Sequence, residues 1–128
     1  MGKFTFRKEE RLRKEKDIQE LFDKGSSFYL FPFKVFVLLH DQTEEPVHQI
    51  LISVSKKNFK RAVDRNAIKR RIREAYRLQK QLLPDQPKLK TGFIYSHKEI
   101  LDFEEIKRKM GQCLVKIPKI LSDPSRKS

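Results

Sequence analysis

The sequence predicts an α+β sandwich, a helical layer on a mixed sheet, with elements in the order αβββαβα. Three observations carry this. The spacing of apolar residues is helical at Ile18, Leu21 and Phe22, alternates at Phe33, Val35, Val37 and Leu39, and turns helical again at Ile68, Ile72, Ala75 and Tyr76. A strand, a helix and another strand follow one another between His48 and Ser96, which implies a crossover connection whose helix packs on the sheet. A length of 128 residues suits one domain, large enough to bury a core but not to hold two. The span 1–128 therefore reads as one domain, with about 1–12 a mobile basic arm and about 122–128 a frayed tail.

Residues 1–16 carry seven Lys/Arg and three glutamates with few apolar anchors. Phe4 and Phe6 suit packing over a sheet edge better than stacking on bases, because aromatic side chains more often bury. From about Lys14 to Asp23 the pattern is a short amphipathic helix, and Gly25 is placed to end it as a left-handed C′ residue. In the following SSFYLFPFKVFVLLH, aromatic and β-branched residues favour strands. Pro32 has no N–H to give to a ladder, so the run splits into strands near Ser27–Leu30 and Phe33–Leu39. On the second strand Phe33, Val35, Val37 and Leu39 face one way and Lys34, Phe36 and Leu38 the other. One face should meet the core helices, and the other should be partly covered by the amino-terminal helix.

Asp41–Pro46 is acidic and turn-like, and a strand over about His48–Val54 is predicted to pair back on the preceding one as an antiparallel hairpin. Glu44 and Glu45 read as a loop tip and not a metal site, since no third ligand accompanies them. From Lys60 to Lys80 a helix presents Ile68, Ile72, Ala75 and Tyr76 on one face, continued by Leu82 and Leu83, with Asn66, Arg70, Arg73 and Arg77 opposite. Pro84-Asp85-Gln86-Pro87 ends it. Thr91–Ser96 reads as a buried strand. A last helix over about Asp102–Ile117 has an acidic start and a basic later half, as the helix dipole favours. Phe103, Ile106, Met110 and Cys113 form its apolar stripe, interrupted by Gly111.

The net charge of +13 selects a polyanionic partner, nucleic acid before an anionic membrane. The longest apolar run, Val35–Leu39, has strand length, far below the ~20 residues of a membrane span. The amino terminus lacks the apolar core of a secretory signal, so the expected location is the cytoplasm. Cys113, the only cysteine, excludes an intrachain disulfide and suits the core. His40, His48 and His97 show no ligand spacing, so no metal held by the protein is expected. No Ser-His-Asp set, HExxH, P-loop or acidic cluster is visible, and the chain reads as a binder with no catalytic residue of its own. The segment Lys60–Lys80 holds nine Lys/Arg against Asp64 and Glu74. A solvated helix face usually alternates in sign; this one does not. Six of the nine are arginines, whose planar fork binds phosphate bidentately and stacks on bases.

The same stretch carries a family pattern. VSKK (Val54–Lys57), Ala62-Val63, Arg65-Asn66, Lys69-Arg70 and Arg73-Glu74 resemble the RNR motif of the protein subunit of bacterial ribonuclease P. One departure is the link Asn58-Phe59-Lys60-Arg61, a residue longer than the family's usual glycine-containing one. The resemblance implies this same order of elements, with the basic helix inside a left-handed βαβ crossover. It also implies membership of a ribonucleoprotein endonuclease that removes the 5′ leader from precursor tRNA. There the RNA subunit carries catalysis and holds Mg²⁺, while the protein binds the leader, assists the RNA and broadens its substrate range.

Carried over by position, Arg65, Asn66, Lys69, Arg70 and Arg73 fall in the motif, and Arg77 extends their face. Lys56, Lys57, Lys60 and Arg61 flank it. The leader cleft maps to Ile18, Phe22 and Phe36, with Ile18 standing where the family commonly has phenylalanine. The implied partners are the catalytic RNA and the precursor leader, with no membrane and no obligate protein partner. Three other readings share parts of the pattern. A ribosomal or other structural RNA-binding protein would have the charge without an effect on cleavage. A helix-turn-helix DNA binder lacks the needed helix and short turn before Lys60. A protein-only nuclease would cleave without any RNA subunit.

Overall fold

The computed structural model describes residues 10–39, 47–84 and 88–122. Its elements are α1 (Glu15–Lys24), β1 (Ser26–Leu30), β2 (Phe33–Leu39), β3 (Gln49–Val54), α2 (Ala62–Gln79), a 3₁₀ turn (Lys80–Leu82), β4 (Leu89–Tyr95) and α3 (Phe103–Ser122). This is the expected order, and Pro32 does separate β1 from β2. Phe4, Phe6, the Asp41–Pro46 turn with Glu44 and Glu45, and most of the tail from 122 lie outside the described residues.

Strand pairing differs from the expected hairpin. The sheet order is β1-β2-β4-β3, with β2 antiparallel to β4 and β3 parallel to it. β4 therefore separates β2 from β3. Its residues are buried on both faces except for partly covered Ile94, which suits the strand to a central position. The connection over residues 40–48 is also longer than the two to five residues, roughly, of a tight hairpin, so it does not force its strands to pair. At the start of β3, His48 Nδ1 accepts the Leu89 N–H at 3.0 Å. Its Nε2 therefore carries the proton and donates to Pro84 O at 2.8 Å, tying this end of the sheet together.

Helices α2 and α3 cover one face. Phe33, Val35, Val37, Ile50, Val54, Phe93 and Tyr95 pack there against Ile68, Ile72, Ala75 and Tyr76 of α2 and Ile106, Met110, Cys113, Leu114 and Ile117 of α3. Leu39 is half-exposed at the end of its strand. Leu83 is buried but Leu82 is 44% exposed, because the tighter 3₁₀ turn after Gln79 breaks the α-helical phase that would carry both inward. α3 runs past its expected end at Ile117 and through Pro118, with Ile120 and Leu121 still packed on the core. Gly111 does not interrupt it. A Cβ there would lie 2.7 Å from Gln79 Oε1, and Gln79 Nε2 donates to Lys107 O across the helix contact.

α1 covers part of the opposite face. Leu21, fully buried, sits over Gly92, where a Cβ would approach its Cδ2 to 3.2 Å. Gly25 is not left-handed as expected: its φ is −72° and its ψ 153°. Glycine is needed for space, since a Cβ would lie 2.5 Å from Leu21 O and 3.0 Å from Val37 O. The basic arm is anchored earlier than expected, from residue 10. Leu12 N–H donates to Ile50 O at 2.8 Å, and Glu10 accepts Lys80 Nζ at 2.8 and 3.0 Å. Glu10 and Leu12 are buried, and the segment covers backbone groups that the edge strand β3 would otherwise leave open.

Candidate nucleic-acid interface

The first candidate surface is α2 with the link before it. Val54 ends β3, and the chain turns at Lys56–Asn58, where Ser55 Oγ accepts the Lys57 N–H at 3.0 Å. Phe59 then buries itself beside Tyr95, with ring centroids 6.0 Å apart. The long link is thus accommodated by driving an aromatic residue into the core, which leaves Lys56, Lys57, Lys60 and Arg61 exposed around it. Arg65 holds this shape: its Nη1 donates to Phe59 O at 2.8 Å and to Lys60 O at 2.9 Å. A residue of the RNR motif therefore serves the loop's structure.

Along α2, Asn66 and Arg70 are exposed and Lys69, Arg73 and Arg77 partly so. Among the described residues neither Arg70 nor Arg73 has a carboxylate partner. Arg73 is instead pushed below the usual guanidinium range, by partial burial first and then by the like charges of Arg11 and Arg70. Arg77 differs, because its Nε donates to Glu74 Oε1 at 3.0 Å and its Nη2 pairs with Glu74 Oε2. The pair lowers the Glu74 carboxyl through the hydrogen bond from Arg77, and raises Arg77 through the same bond. Arg77 is on the ridge, but its charge is largely offset. Arg71 turns the other way and donates to Leu101 O, bracing α2 against the approach to α3.

The second candidate surface is the outer face of the sheet beside α1. Phe22, 37% exposed, meets Phe36 edge to face with centroids 4.8 Å apart, and Ile18 lies one helical turn earlier on α1. The three predicted cleft residues are brought to one place. Strand register adds residues that the sequence reading missed. Tyr29, Lys34, Ile94 and Ser53 form one row across the four strands, and Ser27, Phe36, Gly92 and Leu51 form the next. Tyr29 is 55% exposed, and Lys34 holds its ammonium 5.8 Å from the Phe36 ring. The alternation of β2 already placed Lys34 beside Phe36. Tyr29 could be found only once β1 was known to pair with β2 in this register.

Among the described residues no cluster of three or more His, Cys, Asp or Glu could hold a metal ion, and no helix is long and apolar enough to cross a membrane. The two surfaces lie on opposite sides of the sheet. One offers guanidinium groups to phosphates. The other offers an open aromatic and aliphatic floor with a lysine at its edge, suited to unstacked bases.

Comparison with known proteins matches the Ribonuclease P family over residues 6–118. The ribonuclease P protein component of Porphyromonas gingivalis is 37% identical over 119 residues, covering 89% of this chain and 87% of its own. That of Dictyoglomus turgidum is 38% identical over 121 residues, covering 91% and 92%. Among solved structures, the RNase P protein of Staphylococcus aureus superposes with a TM-score of 0.69 at 28% identity, over 86% of this chain and 95% of that one. The Thermotoga maritima protein gives 0.71 at 27%, over 84% and 96%.

Proposed function

Since the chain belongs to the ribonuclease P protein family, and is therefore the RNA-binding subunit of that tRNA-processing endoribonuclease, we propose a division of labour between its two faces. Its partner in the holoenzyme is the ribonuclease P RNA. The α2 ridge and the Lys56–Arg61 link contact that RNA near its catalytic centre, while the groove of Ile18, Phe22 and Phe36 receives the single-stranded 5′ leader of precursor tRNA. The observation that supports this reading is the row of Arg70 and Arg73 beside Asn66, which among the described residues has no carboxylate partner and has like charges as neighbours.

Each residue has a distinct task. Arg70 and Arg73 each bind a phosphate through parallel N–H donors, and an anion there relieves their mutual repulsion. Asn66 contributes the ridge's neutral acceptor and donor, able to reach a hydrated cation or a base edge. Phe22 and Phe36 offer ring faces and edges to leader bases, and Ile18 covers a base without stacking on it. Bond cleavage falls to the RNA subunit and the Mg²⁺ it holds. The protein contributes cations, not metal ligands.

The test is reconstitution with a ribonuclease P RNA and a leader-bearing precursor, with and without the chain. Each phosphate contact should add roughly 0.7 to the slope of log affinity against log salt. Arg70→Ala with Arg73→Ala should slow cleavage mainly at low Mg²⁺, where the RNA lacks other counter-ions. An equal loss at every Mg²⁺ concentration refutes the electrostatic role.

A further inference from the structure

On the outer face of β4, beneath α1, lies a cation that plays no part in the function argued so far. The Lys90 side chain is only 4% exposed, in one of the two interior strands of the sheet. Its Nζ lies 3.6 Å from Asp17 Oδ1 and 3.8 Å from Glu20 Oε1, both on α1. These distances describe charge pairing more than direct hydrogen bonds. Taking an ammonium out of water is unfavourable unless it is paired, so the position of Lys90 depends on the two carboxylates above it.

α1 is held at three places across its width. Leu21 is central, lodged over Gly92. On a helical projection Asp17 and Glu20 lie to one side of Leu21, with Ile18 and Phe22 on the other. One flank is tied to Lys90, and the other meets Phe36 through Phe22. Apolar contact at Leu21 fixes how close the helix lies but is nearly indifferent to its roll. The charged flank supplies the missing constraint.

We propose that Lys90 is a positioning residue for the leader groove: through Asp17 and Glu20 it sets the roll of α1, and so the placement of Ile18 and Phe22 against Phe36. The inference rests on the groove reading given above. It separates geometry from charge, because the two predict opposite signs for one variant. Removing the carboxylates with D17N/E20Q deletes two negative charges beside a polyanion site, which on electrostatics alone strengthens leader binding. If the carboxylates position α1, the same variant weakens it.

The experiment uses holoenzyme reconstituted with D17N/E20Q, K90M or K90R, and compares binding of a leader-bearing precursor with the same tRNA lacking its leader. Both D17N/E20Q and K90M should lower the ratio of the two affinities about tenfold, whereas K90R should recover most of it. An unchanged or raised ratio in D17N/E20Q overturns the proposal. The free protein supplies a readout that needs no RNA. The Phe22–Phe36 ring contact, followed by NMR, should shift in D17N/E20Q while ring signals of the core between the sheet and α2 stay in place, and an unmoved contact overturns it as well. F22A/F36A tests the groove separately. If that variant leaves the ratio unchanged, the leader reading fails, whereas the NMR shift still decides whether Lys90 positions α1.

Discussion

Arg65 stands in a motif expected to touch RNA, yet its Nη1 is bound to two carbonyl oxygens of the preceding link. Replacing it with alanine removes two hydrogen bonds from a charged donor. A buried bond of this kind contributes roughly 1.5–3 kcal/mol, but only the one to Phe59 O is partly buried and the other is exposed, so about 2 kcal/mol is expected in all. With an unfolding entropy of roughly 2.1 cal/mol/K per residue, that is a fall in Tm of about 7 °C. Arg65→Lys keeps the charge, but a single ammonium replaces the planar fork, so it should recover less than half of the lost stability. The assay is thermal unfolding of the free protein, paired with the salt dependence of its affinity for the catalytic RNA. If Arg65 is a clamp, Arg65→Ala lowers Tm and affinity while leaving the salt slope almost unchanged. A slope reduced by about 0.7 to 0.9 with Tm unaltered would refute the reasoning and return Arg65 to the RNA-contacting row.

Glu74→Gln should release Arg77 from its pair and steepen the salt dependence of RNA binding, measured by filter binding over a salt series; Arg77→Ala in the natural background should change it less than Arg70→Ala does. Lys80→Met breaks an ion pair whose Glu10 side chain is only 5% exposed, so urea unfolding should show a loss of about 3 kcal/mol, and Glu10→Gln with Lys80→Met should recover part of it. Burial pushes the Cys113 thiol up to about 12. The folded state therefore holds its proton after the unfolded chain has lost it, and the resulting stability, complete below pH 9, declines as pH rises through 12. At pH 8 alkylation of Cys113 should follow global unfolding, and rapid labelling of the native protein would contradict its placement in the core.

Much of this fold can be read from local patterns. The alternation of Phe33, Val35 and Val37 and the helical spacing of Ile68, Ile72, Ala75 and Tyr76 report directly which side chains are buried, because one buried face imposes one period. Partner choice between strands is not local in the same way. Nothing in Gln49–Val54 states that it pairs with Leu89–Tyr95, which is forty residues or so further along, ahead of the strand that precedes it. The groove shows the same division. Phe22 and Phe36 follow from their matching positions, whereas Tyr29 and Ile94 join them only through register, and the burial of Lys90 depends on α1 crossing β4. Arg65 was legible as an arginine of the motif. Its hydrogen bonds to Phe59 and Lys60 depend on the path of a link that no pattern specified.

The arrangement of α2 explains how so cationic a helix folds before it meets RNA. Like charges spaced three or four residues apart on a helix destabilise it by roughly 0.2–0.5 kcal/mol per pair, and Arg73 also meets Arg11 from the amino-terminal strap. Against this, Ile68, Ile72 and Tyr76 are almost completely buried, at roughly 1.5–3 kcal/mol for a large apolar side chain. Core packing therefore exceeds the repulsion several-fold, and the ridge is held in place although Arg70 and Arg73 have no carboxylate partner among the described residues. Binding to a phosphate backbone then removes a repulsion that folding had already overcome, so part of the interaction energy is stored in the free protein. If that is the design, neutralising Arg73 alone should stabilise the free protein slightly while weakening its complex with the RNA, two effects of opposite sign from one substitution.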